Sequence, residues 1–593
     1  MRSLSRRLSR LRIASFLFGV FAVIGVALWI PLWTAEVIAL LLFAPFGFAV
    51  VEHSRVNIGI RTNHALRELK STHLARIQLD WGKIPGRETT TGGDHPFEIH
   101  LDITGDRSLH QLIDTSTSIG GSDRLRDWLL NPVPDVDAIK TRQTLVQELI
   151  PLSRFRDRLS LQSELIQKRR SEIHEGDLFT QWLSQQNESS SLWVALIVSV
   201  IICFTSAILI LLNSVGLLPS YWIFTMAVYG LFFVILQIRL GTMFRDAIAI
   251  EGALTRFGAV FQYLEEQSYK TKPNVKRLLT PFLSPTQKPS NLLKEVGRIV
   301  AGASLQKNQL LWFGINLFVP SDIYFAYKLQ KCKQKLAKLL PGWLDLWFEV
   351  EALCSLAHFA YLNPDSILPQ ITVGWKQPVF SATSLGHPLI ESKSMVDNDF
   401  QINELGKLVI ITGSNMSGKS TFLRTLGVNL CLAFAGGPVM AESFRTNLFR
   451  IFACIRVGDS LVEGVSFFYA EVKRLKRLLT ELENDNSLPV FYLIDEIFRG
   501  TNNRERLIGS QAIIRKIIQY KGVGVLSTHD LELVKLADEF LAIRNYHFQE
   551  EIINGQMRFD YRLREGPCPT TNALKIMALE GLPIELSEDG KAR

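Results

Sequence analysis

One stretch restricts the fold of this chain more than any other, Leu408 to Thr421, which reads LVIITGSNMSGKST. Leu408–Thr412 is an unbroken apolar and β-branched run, the pattern of a short buried strand. Gly413-Ser414-Asn415-Met416-Ser417-Gly418-Lys419-Ser420 follows at once and fits the phosphate-binding pattern G-x-x-x-x-G-K-S/T. Gly413 and Gly418 let the backbone turn tightly enough for successive N–H groups to point inward, and a helix starting near Lys419 would aim its positive end at the same spot. Lys419 is placed to reach the β and γ phosphates of a nucleotide and Ser420 to ligate Mg²⁺, with Gly413 through Thr421 forming the cradle. An amphipathic run with Phe422, Leu423, Leu426 and Val428 supplies the helix that such a cradle needs.

The second half of a nucleotide site is expected at Val490–Asp495 (VFYLID), a buried strand ending in Asp495-Glu496. Asp495 would hold the Mg²⁺ through water, and Glu496 would polarise the water that attacks the γ-phosphate. A third strand, Gly522–Leu526, leads into Ser527-Thr528-His529-Asp530, where His529 could contact the γ-phosphate from just past a strand end. A helix N-cap at Ser527 or Asp530 is compatible with that role.

Composition adds a membrane expectation. The chain has 593 residues, 47% of them hydrophobic, with a positive mean hydropathy that is high for a purely soluble protein. Its net charge of +8 is too mild for this length to imply nucleic acid, and suits an anionic membrane surface. Cys203, Cys332, Cys354, Cys431, Cys454 and Cys568 show no C-x-x-C pair, and no His cluster has ligand spacing. Neither a zinc site nor a disulfide framework is indicated, and a reducing compartment is the default.

Residues 1–12 carry five arginines and no acid, and Ile13–Ala35 then runs uncharged, with a second apolar run at Val37–Val51. A cleaved signal peptide fits less well than a membrane hairpin over 13–52, because the apolar stretch is long and a second follows it immediately. Ser189–Ile238 holds no charged residue over fifty positions and is broken by a turn at Asn213–Ser220. That makes a second hairpin over 189–238, four spans in all. Arginines flank the hairpins and are missing from both outer turns, so both termini are expected to face the cytoplasm, as an integral protein of the cell membrane. The remaining segments, 53–188 and 239–370, read as helical, and 371–593 as the nucleotide-binding domain. Within 239–370, Gln309–Leu329 is apolar enough to suggest a fifth span, but Asn316, Pro320 and Asp322 favour a buried or interfacial helix. In the earlier helical segment, Thr115 and Ser118 precede glycines and an amphipathic helix with Leu125, Trp128 and Leu129 that stops at Asn131-Pro132.

Four separated motifs, LVIITGSNMSGKSTFLRTLG, RVGDSLVEGVSFFYAEVKRL, LIDEIFRGTNNRER and STHDLEL, closely resemble in order and spacing the ATPase domain of the MutS mismatch-repair family, itself related to the ABC transporter ATPases. Ser108–Leu149 resembles the MutS core domain. The resemblance covers 108–149 and about 385–582, and it implies an α/β P-loop NTPase domain, ABC-like and MutS-type, beside an all-α core and lever domain carrying the two transmembrane helical hairpins. It further implies that ATP and Mg²⁺ are the ligands, that Phe400 stacks on adenine, and that Asn415 contacts phosphate. Ser466, in the Asp459–Phe467 loop, would be presented to the nucleotide of a partner subunit in a homodimer. The family's Phe-x-Glu mismatch wedge has no counterpart near the amino terminus; the Phe-x-Glu here is Phe548–Glu550, inside the ATPase region. The second hairpin falls where the levers to the DNA clamp would run. Two functions are open on this reading: a membrane-anchored ATPase coupled to DNA, or an ATP-driven membrane scaffold or remodelling protein that touches no DNA.

Overall fold

The computed structural model describes residues 2–27, 32–87, 94–167, 189–249, 251–284, 288–303, 315–316, 319–374, 377–414, 416–455, 467–484, 488–498, 501–553 and 556–568. The chain forms two compact units, one from residues 1–71, 157–268 and 280–343 and the other from 72–156, 269–279 and 344–593.

The first unit is helical. Helices Arg2–Ala27 and Leu32–Ile77 pack antiparallel, with the Phe16 ring 5.4 Å from that of Phe46 and Ser5 donating 2.8 Å to Asn57 Oδ1. The described part of the first helix runs to Ala27, and Glu36 falls inside the second. Helices Ser189–Ser214 and Trp222–Ala249 form the second hairpin, pinned where Ser206 Oγ donates 2.8 Å to Thr225 Oγ1. Asn213 Nδ2 closes its turn on the Leu218 carbonyl, 2.9 Å away, with Gly216 at φ +80°. Among the described residues one helix, Leu192–Ser214, is long and apolar enough to cross a membrane, and Trp222–Gln237 is a shorter apolar helix. Of the four spans expected from sequence, one is matched at full length among the described residues. Nor is Gln309–Leu329 a single helix: its described part turns at Val319-Pro320 and enters a new helix, Ser321–Leu362.

The second unit is built on a six-stranded sheet. Strands β1 (Gln370–Ile371), β2 (Phe380–Leu385), β3 (Asn398–Ile402) and β5 (Ser443–Thr446) form a smaller sheet; β4 (Leu408–Thr412), β6 (Arg450–Cys454), β7 (Val490–Asp495), β8 (Val523–Thr528), β9 (Ile543–Ile553) and β10 (Gln556–Glu565) form the larger, in the order β10-β9-β4-β8-β7-β6. All its pairings are parallel except β9 with β10. Every residue of β4, β7 and β8 is buried, as strands covered on both faces must be. Register aligns Thr412 with Thr528 and Asp495 with Ser527, so the carboxyl ends of β4, β7 and β8 share one edge, where open α/β sheets bind ligands. Helix Lys419–Ala435 is buried over most of its length, and Gly427 makes its close approach possible, since a Cβ there would lie 2.6 Å from Leu101 and 2.8 Å from Leu493.

The 72–156 segment has the expected helix, Ile119–Leu129, capped by Ser118, whose hydroxyl accepts from Gly121 N–H. Glu351 receives the N–H and hydroxyl groups of both Thr117 and Ser118. Burial pushes its carboxyl above the usual range, and these four hydrogen bonds pull it back.

Candidate nucleotide site

At the carboxyl edge of β4 the chain turns through Gly413 at φ +147°, where a Cβ would sit 2.8 Å from both the Phe548 carbonyl and Ser417 Oγ. Only glycine fits there. Gly418, at φ +105°, precedes the helix that begins at Lys419. Lys419 Nζ lies inside the loop, donating 2.8 Å to each of the Gly413 and Ser414 carbonyls. Ser414 itself donates to Glu550 on β9. Ser420 Oγ donates 2.7 Å to Asp495 Oδ2, and Ser527 Oγ donates to Asp495 Oδ1, so both carboxylate oxygens are oriented by hydroxyls. Ser527 thus serves β7 from within β8, and the N-cap of the next helix is Asp530, which accepts from Glu532 N–H.

Glu496, just past β7, takes φ +55° and anchors its N–H 3.0 Å from the Ser527 carbonyl. Its carboxylate pairs with His529 Nε2, while His529 Nδ1 lies 2.9 Å from the Gly413 carbonyl and 3.3 Å from Lys419 Nζ. Lys419, Ser420, Asp495, Glu496 and His529 are therefore joined in one hydrogen-bonded group, although they come from three strand ends. Ser420 and Asp495 supply one hydroxyl and one carboxylate, a donor set that suits Mg²⁺ keeping several waters and taking phosphate oxygens.

A cavity of about 470 Å³ opens beside this group. Gly418 to Thr421 and Glu496 form its polar end, and Leu385, Ile390, Met395, Val396, Phe548 and Tyr561 form much of the rest. Its far wall is held by Asn398, which donates 3.0 Å to the Tyr561 carbonyl and accepts 2.7 Å from Leu563 N–H. That bridge ties β10 to β3 and places the Tyr561 ring over Gly418.

Phe400 does not line the cavity. It is 3% exposed on β3, its ring 5.4 Å from Phe422 and 6.0 Å from both Phe380 and Tyr546. Asp399 and Gln401, which suggested a surface loop, are the outward residues of a strand whose inward ones are Phe400 and Ile402. The stacking role given to Phe400 is corrected to a core role; Met395 and Tyr561 are the large side chains the cavity offers instead. Alternation through Asn398–Ile402 was the signal that could have revealed this. Met416 is exposed at the loop tip with φ +69°, and Ser417 is buried beneath it. Asn415 and Ser466 lie outside the described residues.

Residues 409–592 match the family model for MutS domain V. The DNA mismatch repair protein MutS of Aquifex pyrophilus is 33% identical over 247 residues, 41% of this chain and 28% of that protein. That of Listeria welshimeri is 33% identical over 367 residues, 58% and 39%, and that of Leuconostoc mesenteroides 30% over 339 residues, 54% and 36%. Residues 409–592 are thus similar to MutS domain V, and the wider matches are to parts of MutS proteins. The chain spans between 28% and 39% of the length of these relatives. The MutS domain V match contains β4 from Val409 on, β7, β8 and every member of the hydrogen-bonded group.

His387 lines the same cavity from Gly386-His387-Pro388, accepting at Nδ1 from Leu389 N–H over 3.1 Å. Burial, aided by the Arg424 guanidinium, pushes its ring down to about 4. The folded state thus requires a neutral ring. Its stabilising contribution is full above the unfolded value near 6.5 and is lost as pH falls from there towards 4, an effect of ~3 kcal/mol at most. The melting temperature should fall more steeply from pH 7 to pH 5 than that of a His387→Gln variant; parallel curves would contradict the assignment.

Proposed function

We propose that the chain is a membrane-anchored MutS-family ATPase that binds ATP with Mg²⁺, hydrolyses it, and couples the nucleotide state to DNA. The observation that carries the reading is the hydrogen-bonded group at the sheet edge, in which a lysine, a metal-type hydroxyl and carboxylate, and a Glu–His pair meet at one cavity. Lys419 and the N–H groups of the loop hold phosphate charge; Ser420 and Asp495 hold the metal; Glu496, steadied by His529, takes the proton of the attacking water. Bound Mg²⁺ supplies neutralisation of charge on the β and γ oxygens. Membrane anchoring is supported by the Leu192–Ser214 helix, on which Ile201, Phe204 and Leu211 are exposed. DNA enters from the named activity of the relatives.

The test uses the full chain in detergent. Mg²⁺-dependent ATP hydrolysis is expected, together with retention on duplex DNA that weakens as salt rises, because phosphate contacts release counterions. Hydrolysis without any DNA retention would shift the reading to an ATP-driven membrane scaffold, and no hydrolysis would remove the enzymatic reading.

A further inference from the structure

Tyr229 lies in the apolar helix that follows the Asn213–Ser220 turn, and its hydroxyl donates 2.8 Å to the Asn316 carbonyl. Asn316 in turn organises a polar turn: Ser321 Oγ donates 2.9 Å and Asp322 N–H 3.1 Å to its Oδ1, and its Nδ2 donates 3.2 Å to Asp322 Oδ1. Asn316 and Asp322 are each 3% exposed, whereas Ile315, Val319 and Tyr324 around them face outward. Asn316 and Asp322 are thus turned in while Ile315 and Val319 are turned out, the reverse of what water solvation of these side chains would favour.

Depth follows from register. Tyr229 lies against Cys203, and Cys203 stands eleven residues from each end of the Leu192–Ser214 helix. At 1.5 Å per residue that is about 16 Å from either end, the middle of a ~30 Å hydrocarbon layer. Nearer one end, the ring of Trp193 meets Tyr327 at 5.4 Å, and Lys328 Nζ lies over the Tyr324 ring, the arrangement of side chains at a membrane interface. Helix Pro289–Ala303 returns alongside helix Ser321–Leu362 in the opposite direction: Glu295 contacts Cys332, and Gly302 abuts Phe325. In sequence, Asp322 is the one charged residue between Lys307 and Lys328.

We infer that Ile315, Asn316 and Val319–Asp322 belong to a re-entrant hairpin that dips to the bilayer mid-plane beside Tyr229 and leaves on the side it entered, with lipid acyl chains as the partner of Ile315 and Val319. The inference rests on the membrane reading above. Irregular backbone survives at that depth only where protein satisfies its polar groups, and the Asn316 network together with the Tyr229 hydroxyl does so. Asp322 is held at its Oδ1 by Asn316, so the acid sits within the protein and away from the lipid.

The full chain in liposomes, with its six cysteines replaced, would carry a nitroxide at Val319→Cys, at Phe204→Cys on the apolar helix, or at Leu541→Cys, which is 94% exposed in the other unit. Labels at 319 and 204 should collide with oxygen and lose collisions with a water-soluble nickel chelate, and 541 should do the opposite. Lipid-like behaviour at 204 with nickel access at 319 overturns the re-entrant tip and leaves the membrane reading intact; nickel access at 204 overturns both. Lys288→Cys and Lys335→Cys should react with an impermeant maleimide from the same face, and reaction from opposite faces would replace the hairpin by a full span. If the cysteine-free background does not fold, benzoylphenylalanine at Val319 or at Phe204 in the native chain gives the same decision: lipid adducts at both support the tip, and an adduct at 204 alone overturns it.

Discussion

Lys419→Ala will lose ATP, whereas Glu496→Gln will bind ATP and hold it unhydrolysed. The two side chains meet the same cavity but stand on opposite sides of the chemistry. Lys419 is the cation of the loop, and its ammonium is held by the carbonyls of Gly413 and Ser414 at the point where phosphate oxygens are to be received. Removing it deletes charge-assisted hydrogen bonds to phosphate, a loss of about 2 kcal/mol or more, which is ~30-fold in affinity. Glu496 sits past the end of β7 with its carboxylate on His529, away from the cradle itself. Glutamine keeps its volume and its acceptor oxygen but cannot take a proton, so turnover should fall by ~10²–10⁴ while the ATP dissociation constant stays near that of the parent chain. Single-turnover hydrolysis and equilibrium binding of a fluorescent ATP analogue separate the two losses. Equal weakening of binding in both variants would remove Glu496 from the role of base and make it a structural partner of His529.

How much of this geometry can be read in the linear chain depends on how local the cause is. The β4–loop–helix unit is legible because a fully apolar strand, two glycines at positive φ and a helix start are contiguous in sequence. The Ser118 cap and the Ile119–Leu129 helix are legible for the same reason. Strands β7 and β8 can be recognised by their runs of buried residues, but the use of Ser527 to orient Asp495 depends on their side-by-side register, which no local signal encodes. The wall of the cavity is less legible still. Tyr561 arrives on the far strand of the β9–β10 pair and is fixed by Asn398, 163 positions earlier. Phe400 misled because five residues of strand at a sheet edge have the same polar flanks as a loop.

Mixing a Ser466→Arg subunit with a Lys419→Ala subunit should restore activity that neither has alone. Helix Phe467–Glu483 begins at the residue after Ser466, and it is fixed to the catalytic edge of its own chain through Glu471, whose carboxylate accepts from Phe498 N–H two residues after Glu496. In sequence, a hydroxyl residue just ahead of a helical run can be offered to an anion together with the first N–H groups of the helix. If a two-fold dimer brings this end to the partner's Gly413–Thr421 loop, each ATP is enclosed by Lys419 from one chain and Ser466 from the other, and hydrolysis depends on assembly. Each single-variant dimer then has two broken sites. A mixed dimer has one site in which both defects meet and one in which neither is present. Random pairing at equal amounts makes half the dimers mixed, each with one intact site in two, so about a quarter of the parental rate should return if the sites act independently. A return near zero, with mixed dimers demonstrated by differential tags, would mean that both sites must fire together or that the pairing is wrong. Those two outcomes separate in the Ser466→Arg chain alone: normal hydrolysis by that variant would exclude shared sites, whereas its inactivity with full ATP binding would leave obligate coupling as the cause.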